Sequence, residues 1–304
     1  MSNRITKELT GVLAAVTTPF TADGSAIDEQ NLRGQVERLI AGGIHGIVPT
    51  GTSGEFLSLS DDEYRRVIEL YVQAAAGRIP VVAGIGAMTN AKAIELAQHA
   101  ERVGADAIML VPPFYDPMTF ENLKAFLADV AASINLSIVY YNVPGATGIQ
   151  LSAEQIAELG EIEGLDYLKN TSDDAVGLTE LLVKHTDKIK AFNGWDTLTF
   201  LGISLGAQAS VWGAAGVVPG LAAEFWQTLA VEKDLAKARE QWKILWEISD
   251  FLESVPYPAG LKAGLELIGH PAGPVRAPLR EISAEEKSRF AQILAKAGVL
   301  PVTA

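Results

Sequence analysis

The sequence predicts an α/β fold, a closed (β/α)8 barrel followed by a C-terminal helical extension. Short apolar runs typical of strands alternate strictly with amphipathic helical stretches, and eight such units fit into the first 223 residues. After that point no strand pattern occurs. Because an α/β barrel typically takes about 250 residues, the 304-residue chain accommodates one barrel and a tail. We therefore predict a barrel over 1–223 and a helical extension over 224–304, packed on the barrel.

Each predicted strand is a run of largely apolar residues, bounded by turn-forming residues, as expected for strands buried on both faces of a parallel sheet. The eight runs lie near 11–17, 44–50, 80–85, 106–111, 137–142, 165–169, 189–193 and 208–212.

The helical stretches between them show the apolar spacing of amphipathic helices and open on capping residues. The clearest lie at 28–41, 61–76, 90–103, 119–133 and 174–186. Ser60 is followed three residues later by Glu63, and Ser152 by Gln155, which is the pattern of a capping box. Residues 224–300 predict about three further helices.

An open, doubly wound sheet is the main alternative architecture. Such a sheet usually carries a glycine-rich dinucleotide turn after its first strand. Here the first strand runs into Thr-Thr-Pro-Phe (17–20), which is no such turn. The closed (β/α)8 TIM barrel is therefore the preferred prediction.

Composition limits the classes of partner. The formal charge of −13 argues against nucleic acid or an anionic membrane. The absence of cysteine excludes disulfides and thiolate metal sites. Residues 1–8 are polar and lack the apolar core of a signal peptide, and the apolar stretch 208–223 is broken by Gly and Pro. We expect a cytoplasmic protein.

In a barrel of this kind the active site lies where strands end and loops begin. The segments predicted at that mouth are 17–18, 51–55, 112–115, 141–144, 169, 193–196 and 212–213. The four histidines, His45, His99, His185 and His270, fall elsewhere and offer no ligand cluster at the mouth. We therefore expect no metal and no cofactor.

Lys169 is the only one of 13 lysines that the pattern places at the carboxyl end of a strand. Lysine is rarely fully buried, because moving an ammonium out of water is costly. A lysine that faces a barrel mouth is a candidate for the amine that attacks a carbonyl and forms an imine. The alternative is a solvated lysine at a strand exit.

Tyr141, at the end of the neighbouring predicted strand, is the natural proton-transfer partner for such an amine. The alternative is an aromatic residue that only lines the barrel. In the loop after the second strand, Thr52 and Ser53 supply hydroxyls and Gly54 an unencumbered backbone N–H. These groups suit a carboxylate-binding nest, although a plain turn would look the same.

Four motifs then occur in a fixed order: Thr-Thr-Pro-Phe (17–20), Gly-Thr-Ser-Gly-Glu (51–55), Tyr-Asn-Val-Pro-x-x-Thr-Gly (141–148) and the strand lysine. Together they resemble the dihydrodipicolinate synthase / N-acetylneuraminate lyase family of class I aldolases. The resemblance runs from about residue 11 to the helical tail.

The resemblance implies that Lys169 forms a Schiff base with a 2-oxo acid, usually pyruvate. Tyr141 would relay protons, and Thr52 and Ser53 would hold the pyruvate carboxylate. Tyr115 matches a tyrosine that, in many members, reaches into a neighbouring subunit's site. That role implies a tight dimer, usually doubled to a homotetramer (a dimer of dimers).

Several positions depart from the family pattern. Where dihydrodipicolinate synthases carry an arginine for the second substrate's carboxylate, this chain has Ala146. A sialic acid lyase would carry a serine near Gly213, where we expect Trp212 to crowd the wall. The positions of the lysine feedback site, where the family has His, His, Asn and Glu, are Asp61, Tyr64, Met88 and Lys92.

We therefore predict a Schiff-base 2-oxo-acid lyase that acts on pyruvate and an aldehyde, or on a 2-keto-3-deoxy sugar acid, by aldol reaction or dehydration. Gly194, Asp196 and Ser210 are candidates for lining the variable part of the pocket. One alternative is an authentic 4-hydroxy-tetrahydrodipicolinate (dihydrodipicolinate) synthase. Another, from a different class, is a non-catalytic 2-oxo-acid sensor, which retention of both Lys169 and Tyr141 disfavours.

Overall fold

The computed structural model describes residues 7–300, and eight parallel strands form its centre. The strands are β1 (Gly11–Ala15), β2 (Gly46–Val48), β3 (Val82–Gly86), β4 (Ala107–Val111), β5 (Ser137–Asn142), β6 (Tyr167–Asn170), β7 (Lys190–Asn193) and β8 (Ala209–Trp212). Every predicted strand is present. The predicted barrel is confirmed, although β1 and β2 end earlier than the apolar runs that contain them.

The strands follow one another around the barrel in chain order, with β1 hydrogen-bonded to both β2 and β8. The gap between β2 and β3 is bridged by a single parallel pair, Ile47 with Val81. There the Ile47 amide donates to the Pro80 carbonyl at 2.9 Å. The barrel is therefore nearly closed, and its carboxyl-terminal strand ends gather at one mouth.

Helices follow the strands and continue into the tail. They are α1 (Glu29–Ala41), α2 (Asp61–Ala75), α3 (Asn90–Val103), α4 (Phe120–Ala132), α5 (Pro144–Thr147), α6 (Ala153–Leu159), α7 (Ala175–Lys184), α8 (Thr199–Ser204), α9 (Ala214–Val217), α10 (Pro219–Trp226), α11 (Leu235–Glu253), α12 (Tyr257–Leu267) and α13 (Ala284–Lys296). Short 3-10 turns lie at Phe56–Ser58 and Asp196–Leu198, and a π-helical turn at Gln227–Val231.

Local capping fixes where these helices begin. The Ser60 hydroxyl accepts from the Glu63 amide, and the Glu63 carboxylate accepts in return from the Ser60 amide. Ser152 and Gln155 make the same reciprocal pair at α6. Both capping boxes predicted from the sequence are confirmed. Each satisfies amides that the first helical turn would leave unpaired.

Side chains alternate between two apolar layers along every strand, since successive strand residues point to opposite faces. Leu13, Val139 and Val211 belong to the cluster inside the barrel. Val12 and Ile138 belong instead to the clusters between the barrel and its helices. This alternation decides which strand residues can reach the barrel mouth.

The C-terminal helices share the core of the barrel. Phe251 of α11 stacks on Phe290 of α13 with 4.4 Å between ring centroids, and Trp242 of α11 stacks on Phe225 of α10 at 5.3 Å. The predicted division at residue 223 falls inside α10, while 1–6 and 301–304 lie outside the described residues. Within 7–300 no helix is both long and apolar enough to span a bilayer.

Candidate active site

Lys169 and Tyr141 are direct neighbours across two paired strands. In the parallel ladder of β5 and β6, Tyr141 pairs with Lys169. Tyr141 belongs to the cluster inside the barrel, and both side chains line the cavity at the mouth. The Lys169 and Tyr141 residues are only 6% and 5% exposed. Strand register therefore places the predicted nucleophile beside its predicted proton carrier.

The amine of Lys169 lies over the ring of Tyr141, with Nζ 4.1 Å from the ring centroid. Gly194, directly after β7, makes room for the lysine side chain. A Cβ at position 194 would lie 2.6–2.7 Å from Lys169 carbons and 2.4 Å from the Thr171 hydroxyl. Gly194 thus acts by leaving space for the amine, and only glycine fits there without displacing Lys169.

The Tyr141 phenol is held by hydroxyl groups at the mouth. Its oxygen lies 3.4 Å from the Thr52 hydroxyl. Burial alone would raise the pKa of the phenol. The positive charge of Lys169, with hydrogen bonds from Thr52 and other neighbours, outweighs burial and lowers that pKa. A lowered pKa brings the phenol closer to the working range of a proton relay.

The loop after β2 is shaped by two residues in the left-handed region, Thr50 and Glu55, both with φ 54°. Such backbone is unfavourable for residues with a Cβ, so surrounding contacts must hold it in place. The Thr50 hydroxyl is buried between the carbonyls of Pro49 and Gly84, 2.8 and 2.9 Å away. The loop that carries the predicted carboxylate site is thereby anchored at its start.

Thr52 and Ser53 line the cavity, whereas Gly54 does not. The Gly54 amide donates to the Gly51 carbonyl at 3.0 Å, and the Gly54 carbonyl accepts from the Thr18 hydroxyl at 2.7 Å. The prediction that Gly54 binds substrate directly is wrong, because both of its backbone groups are engaged inside the protein. Thr52 and Ser53 remain as the polar groups of the loop that face the cavity.

The far end of the loop is tied to the C-terminal helices by a buried ion pair. Glu55 Oε1 lies 2.7 Å from Lys262 Nζ, and the two side chains are 1% and 5% exposed. The other carboxylate oxygen accepts from the Arg276 amide at 2.8 Å. Lys262 also donates to the Pro274 carbonyl at 2.7 Å and lies 4.1 Å from the centroid of the Phe20 ring. Sequence reasoning did not single out this pair.

Asp196 is a buried carboxyl on the opposite wall of the cavity, 5% exposed. One carboxyl oxygen accepts from the Tyr257 hydroxyl and, at 3.1 Å, from the Ala214 amide. Burial raises the pKa of Asp196 to about 7, although the Tyr257 and Ala214 hydrogen bonds and the Lys169 charge partly oppose the rise. Asp196 can therefore exchange a proton near neutral pH.

Two wall residues come from the C-terminal extension, which the sequence indicated only as an appendage. Glu253 ends α11 and Tyr257 begins α12, and both line the cavity. Burial also raises the pKa of the Glu253 carboxyl. A signal was present in the sequence, since Pro256 and Pro258 break the helical pattern around an aromatic residue. The break alone did not indicate that this segment packs against the cavity.

The wall at Gly213 is closed by Tyr257. A Cβ at position 213 would lie 2.1 Å from the Tyr257 hydroxyl oxygen. The expectation that Trp212 crowds this wall is wrong, because Trp212 points outward and donates from its indole nitrogen to the Ser249 hydroxyl at 3.3 Å. A serine at 213 is incompatible with Tyr257 in this position.

Ser210 does not line the cavity, so its predicted role there is wrong. Its neighbours Ala209 and Val211 point into the barrel, and alternation turns Ser210 toward the helices. Its fully buried hydroxyl lies 3.4 Å from both the Asn193 side-chain amide and the Thr199 hydroxyl. Ser210 therefore contributes to packing between β7, β8 and α8.

Tyr115 lies outside the cavity in this single chain. It is 89% exposed, in the loop between β4 and α4. The structure thus does not bring Tyr115 to Lys169 within one protomer.

The reaction cavity has a volume of about 280 Å³. It brings together Lys169, Tyr141, Thr52, Ser53, Gly194 and Asp196 from the predicted set, together with Thr171, Trp195, Glu253 and Tyr257. A second cavity of about 310 Å³ adjoins it, and the two share Thr52, Tyr141, Val143 and Ala146. Lys169 is the only cationic residue among the described residues that line either cavity.

One group of possible metal ligands occurs in residues 7–300, at Glu154, Glu180 and His185. None of the three lines the reaction cavity. His45 instead accepts a hydrogen bond from the Val12 amide at 3.2 Å, and the His99 ring lies 3.2 Å from the Arg65 carbonyl oxygen. These two histidines serve the packing of the chain.

The arrangement of a buried lysine, a tyrosine and a hydroxyl loop at a barrel mouth agrees with a match to a known family. The model described as the Dihydrodipicolinate synthetase family matches residues 8–297. The chain belongs to this family. It is a lyase of the dihydrodipicolinate synthetase family, as the four sequence motifs predict.

Relatives in this family match along nearly the whole chain. A 4-hydroxy-tetrahydrodipicolinate synthase of Methanopyrus kandleri is 36% identical over 97% of this chain and 98% of its own length. An uncharacterised DapA-like lyase of Halobacterium salinarum is 34% identical over 96% and 95%. A solved dihydrodipicolinate synthase from Acinetobacter baumannii, complexed with pyruvate, superposes with a TM-score of 0.92 at 30% identity, covering 96% of this chain and 100% of the other.

Proposed function

We propose that this lyase works through an imine between Lys169 and a 2-oxo acid such as pyruvate. The observation that carries the proposal is the pairing of Lys169 with Tyr141 across β5 and β6 inside the mouth cavity. A buried amine beside a phenol supplies a nucleophile and a proton carrier in one place. The solved relative complexed with pyruvate supports the same class of ligand.

In the proposed reaction the Lys169 amine attacks the ketone carbon, and the carbinolamine loses water to give an imine. The adjacent carbon then loses a proton and becomes an enamine. The enamine carbon forms a bond to an aldehyde carbon, whose oxygen takes up a proton, and water hydrolyses the product imine. Cleavage follows the same steps in reverse. Tyr141 carries the protons, because the amine lies 4.1 Å from its ring centroid and its hydroxyl lies 3.4 Å from that of Thr52.

The carboxylate of the 2-oxo acid would lie against Thr52 and Ser53. Both residues line the cavity, and the Thr52 hydroxyl is close to that of Tyr141, 3.4 Å away. A carboxylate accepts hydrogen bonds from such hydroxyls, and charge-assisted bonds of this kind are among the stronger ones. The carboxylate would thus fix the ketone carbon next to the amine.

A turnover assay tests this function. The protein would be supplied with pyruvate and a panel of aldehydes, or with 2-keto-3-deoxy acids, and pyruvate consumption or release would be followed. Lys169→Ala should abolish turnover, since no other lysine of the described part of the chain lines the cavity. Lys184→Ala, on an exposed helix surface, is the matched control and should retain it. Turnover that survives Lys169→Ala would contradict the proposal.

An authentic 4-hydroxy-tetrahydrodipicolinate synthase is the second candidate function. Relatives at 36% identity carry that name. Against it, Ala146 lies at the junction of the two cavities, and no arginine among residues 7–300 lines either one. A charge-assisted hydrogen bond contributes about 1.5–3 kcal/mol, so its loss should weaken use of aspartate semialdehyde by roughly tenfold or more.

Condensation of pyruvate with aspartate semialdehyde separates these candidates. We expect slow or absent product with the natural chain and a gain with Ala146→Arg. Robust activity of the natural chain, with no gain from arginine, would establish the synthase.

Inhibition by free lysine is not expected. At the corresponding positions, Lys92 Nζ lies 2.5 Å from Asp61 Oδ2, and the Tyr64 hydroxyl donates to the Gly84 carbonyl at 2.8 Å. These groups are already paired with one another or with backbone, and a second ammonium at Lys92 would be repelled.

We further propose that the chain forms a homotetramer, a dimer of dimers in which Tyr115 meets a second copy. Its 89% exposure leaves a large aromatic ring in solvent within one chain, and Leu57 is also 72% exposed. Exposed apolar groups of this kind often mark interfaces. Light scattering on the natural chain and on Tyr115→Asp tests the assembly: a monomeric natural chain would contradict it.

A further inference from the structure

We propose that Asp196 is a second proton carrier of the reaction, which donates a proton to the oxygen of the aldehyde when the new carbon–carbon bond forms. The observation behind this assignment is a buried carboxyl that lines the reaction cavity and takes both of its hydrogen bonds on one oxygen. The inference rests on the proposed imine at Lys169 and divides its proton transfers. Tyr141 serves the imine and the enamine, and Asp196 serves the aldehyde.

The two oxygens of the Asp196 carboxyl differ in their surroundings. The Tyr257 hydroxyl and the Ala214 amide, which lies 3.1 Å away, both donate to Oδ2. An oxygen that accepts two hydrogen bonds is the poorer place for a proton, so the proton of the neutral acid belongs on Oδ1. Because Asp196 lines the cavity, Oδ1 is the oxygen that a substrate there can reach.

The groups around Asp196 allow its carboxyl to hold a proton near neutral pH. Burial raises its pKa to about 7, and the charge of Glu253 on α11 adds to the rise. The hydrogen bonds from Tyr257 on α12 and Ala214 on α9, together with the charge of Lys169 on β6, act in the opposite direction. A carboxyl whose pKa lies near the operating pH suits general acid catalysis.

The other acidic groups of this wall are engaged with protein atoms. Both carboxylate oxygens of Glu253 accept hydrogen bonds from Thr197, one from its amide at 3.0 Å and the other from its hydroxyl at 2.8 Å. The Tyr257 hydroxyl gives its proton to the hydrogen bond with Asp196, and burial raises the pKa of that phenol well above its usual range. Asp196 is therefore the acid of this wall that is best placed to donate into the cavity.

The bond-forming step balances with Asp196 as the donor. The enamine carbon donates its electron pair to the aldehyde carbon, and the C=O π bond breaks toward oxygen. That oxygen takes the proton from Asp196 Oδ1, which leaves a carboxylate. The carbon next to the imine has already released one proton, and Asp196 takes up one proton through water before the next turnover. In cleavage the carboxylate removes the proton of the same hydroxyl, and the bonds change in reverse order.

Two rates measured on one variant separate the two proton carriers. Exchange of the pyruvate methyl protons in D2O, followed by proton NMR, reports imine and enamine formation and needs no aldehyde. Consumption of pyruvate with glycolaldehyde, glyceraldehyde or aspartate semialdehyde reports the whole reaction. Asp196→Asn keeps the shape of the side chain but donates no acidic proton. It should lower kcat for the aldehyde that is used fastest by about 10²–10⁴-fold and change the exchange rate by less than about twofold.

Controls identify what each result means. Asp187→Asn alters an exposed aspartate in the turn before β7 that does not line the cavity, and it should leave both rates unchanged. Tyr141→Phe should lower both rates. Asp196→Asn with normal aldehyde consumption, or with an equal loss of exchange, would overturn the assignment. A natural chain that exchanges pyruvate protons but uses none of the three aldehydes would also overturn it. Absence of exchange in the natural chain would contradict the proposed imine itself.

The pH dependence provides a second test, on variants that keep the Asp196 carboxyl. A neutral acid is lost as pH rises, so kcat for the aldehyde should fall through the pKa of Asp196, about 7, while the exchange rate shows no such fall. Tyr257→Phe removes a hydrogen bond that favours the carboxylate, so the fall should move to higher pH. Glu253→Gln removes a charge that opposes ionisation, so the fall should move to lower pH. Shifts in one common direction, or no shift in either variant, would refute Asp196 as the donor.

Discussion

The buried ion pair between Glu55 and Lys262 should be one of the most sensitive points of the molecule. Lys262→Met removes the ammonium but keeps a side chain of similar length. It leaves the Glu55 carboxylate, whose side chain is 1% exposed, with the Arg276 amide as its remaining close donor. Breaking a buried pair by removing one partner typically costs about 3–5 kcal/mol. We expect a loss of that size in the free energy of unfolding.

Lys262→Met should also affect the active site, because Glu55 belongs to the loop after β2. Glu55 adopts left-handed backbone directly after the segment that carries Thr52 and Ser53. Its ion pair with Lys262 connects this loop to α12. Loosening this tie should raise the pyruvate concentration needed for half-maximal imine trapping by more than it lowers the limiting rate. Lys262 is therefore a positioning residue in this account.

Urea unfolding at fixed protein concentration, together with pyruvate trapping, provides the assay. Lys92→Met is the matched control, because Lys92 is 28% exposed and its pairs with Asp61 and Glu95 lie near the surface. Exposed pairs contribute about 0–1 kcal/mol. The double variant Glu55→Gln/Lys262→Met should recover much of the loss, since no charge is left unpaired. This prediction is contradicted if Lys262→Met has the same free energy of unfolding as Lys92→Met, or if the double variant is no more stable than Lys262→Met.

Three further predictions concern the cavity wall and the relay. Tyr141→Phe should lower kcat by about 10²–10⁴-fold with little change in pyruvate binding; near-normal turnover by steady-state kinetics would place the relay elsewhere. For Asp196, the pKa rises from 3.8 to about 7 on folding, so the folded state binds the proton more tightly than the unfolded state. The free energy of unfolding should therefore fall as pH rises from about 4 to about 7, by at most roughly 4 kcal/mol. Asp196→Asn should flatten that dependence in urea titrations at several pH values, and an unchanged slope would contradict the assignment. Gly213→Ser should destabilise the protein, because its Cβ would lie 2.1 Å from the Tyr257 hydroxyl oxygen, and Gly213→Ser/Tyr257→Phe should recover part of the loss in thermal unfolding.

The barrel and the central pair could be predicted because both follow from local patterns. Eight apolar runs give eight strands, and the ends of β5 and β6 bring Tyr141 and Lys169 to one mouth. The same alternation rule, applied to β8, excludes Ser210, since Ala209 and Val211 face inward. The outward orientation of Ser210 was therefore predictable from the sequence.

Other features depend on how distant segments dock, and no local pattern encodes that. Glu253 and Tyr257 reach the cavity only because the break between α11 and α12 packs against Gly213. The pairing of Glu55 with Lys262 likewise joins the β2 loop to a helix of the tail. The second cavity arises from the loop at 56–58, the loop after β4 and the segment around Leu279, which meet only in the folded chain.

Borohydride trapping with pyruvate, followed by peptide mass measurement, is the direct test of an imine at Lys169. The chain has two buried lysines within residues 7–300, Lys169 and Lys262, which are 6% and 5% exposed. Only Lys169 lines the reaction cavity. We expect the reduced pyruvate adduct on the peptide that contains Lys169 and none on the peptide that contains Lys262. An adduct on Lys262 or on any other lysine, or no adduct at all, would contradict it.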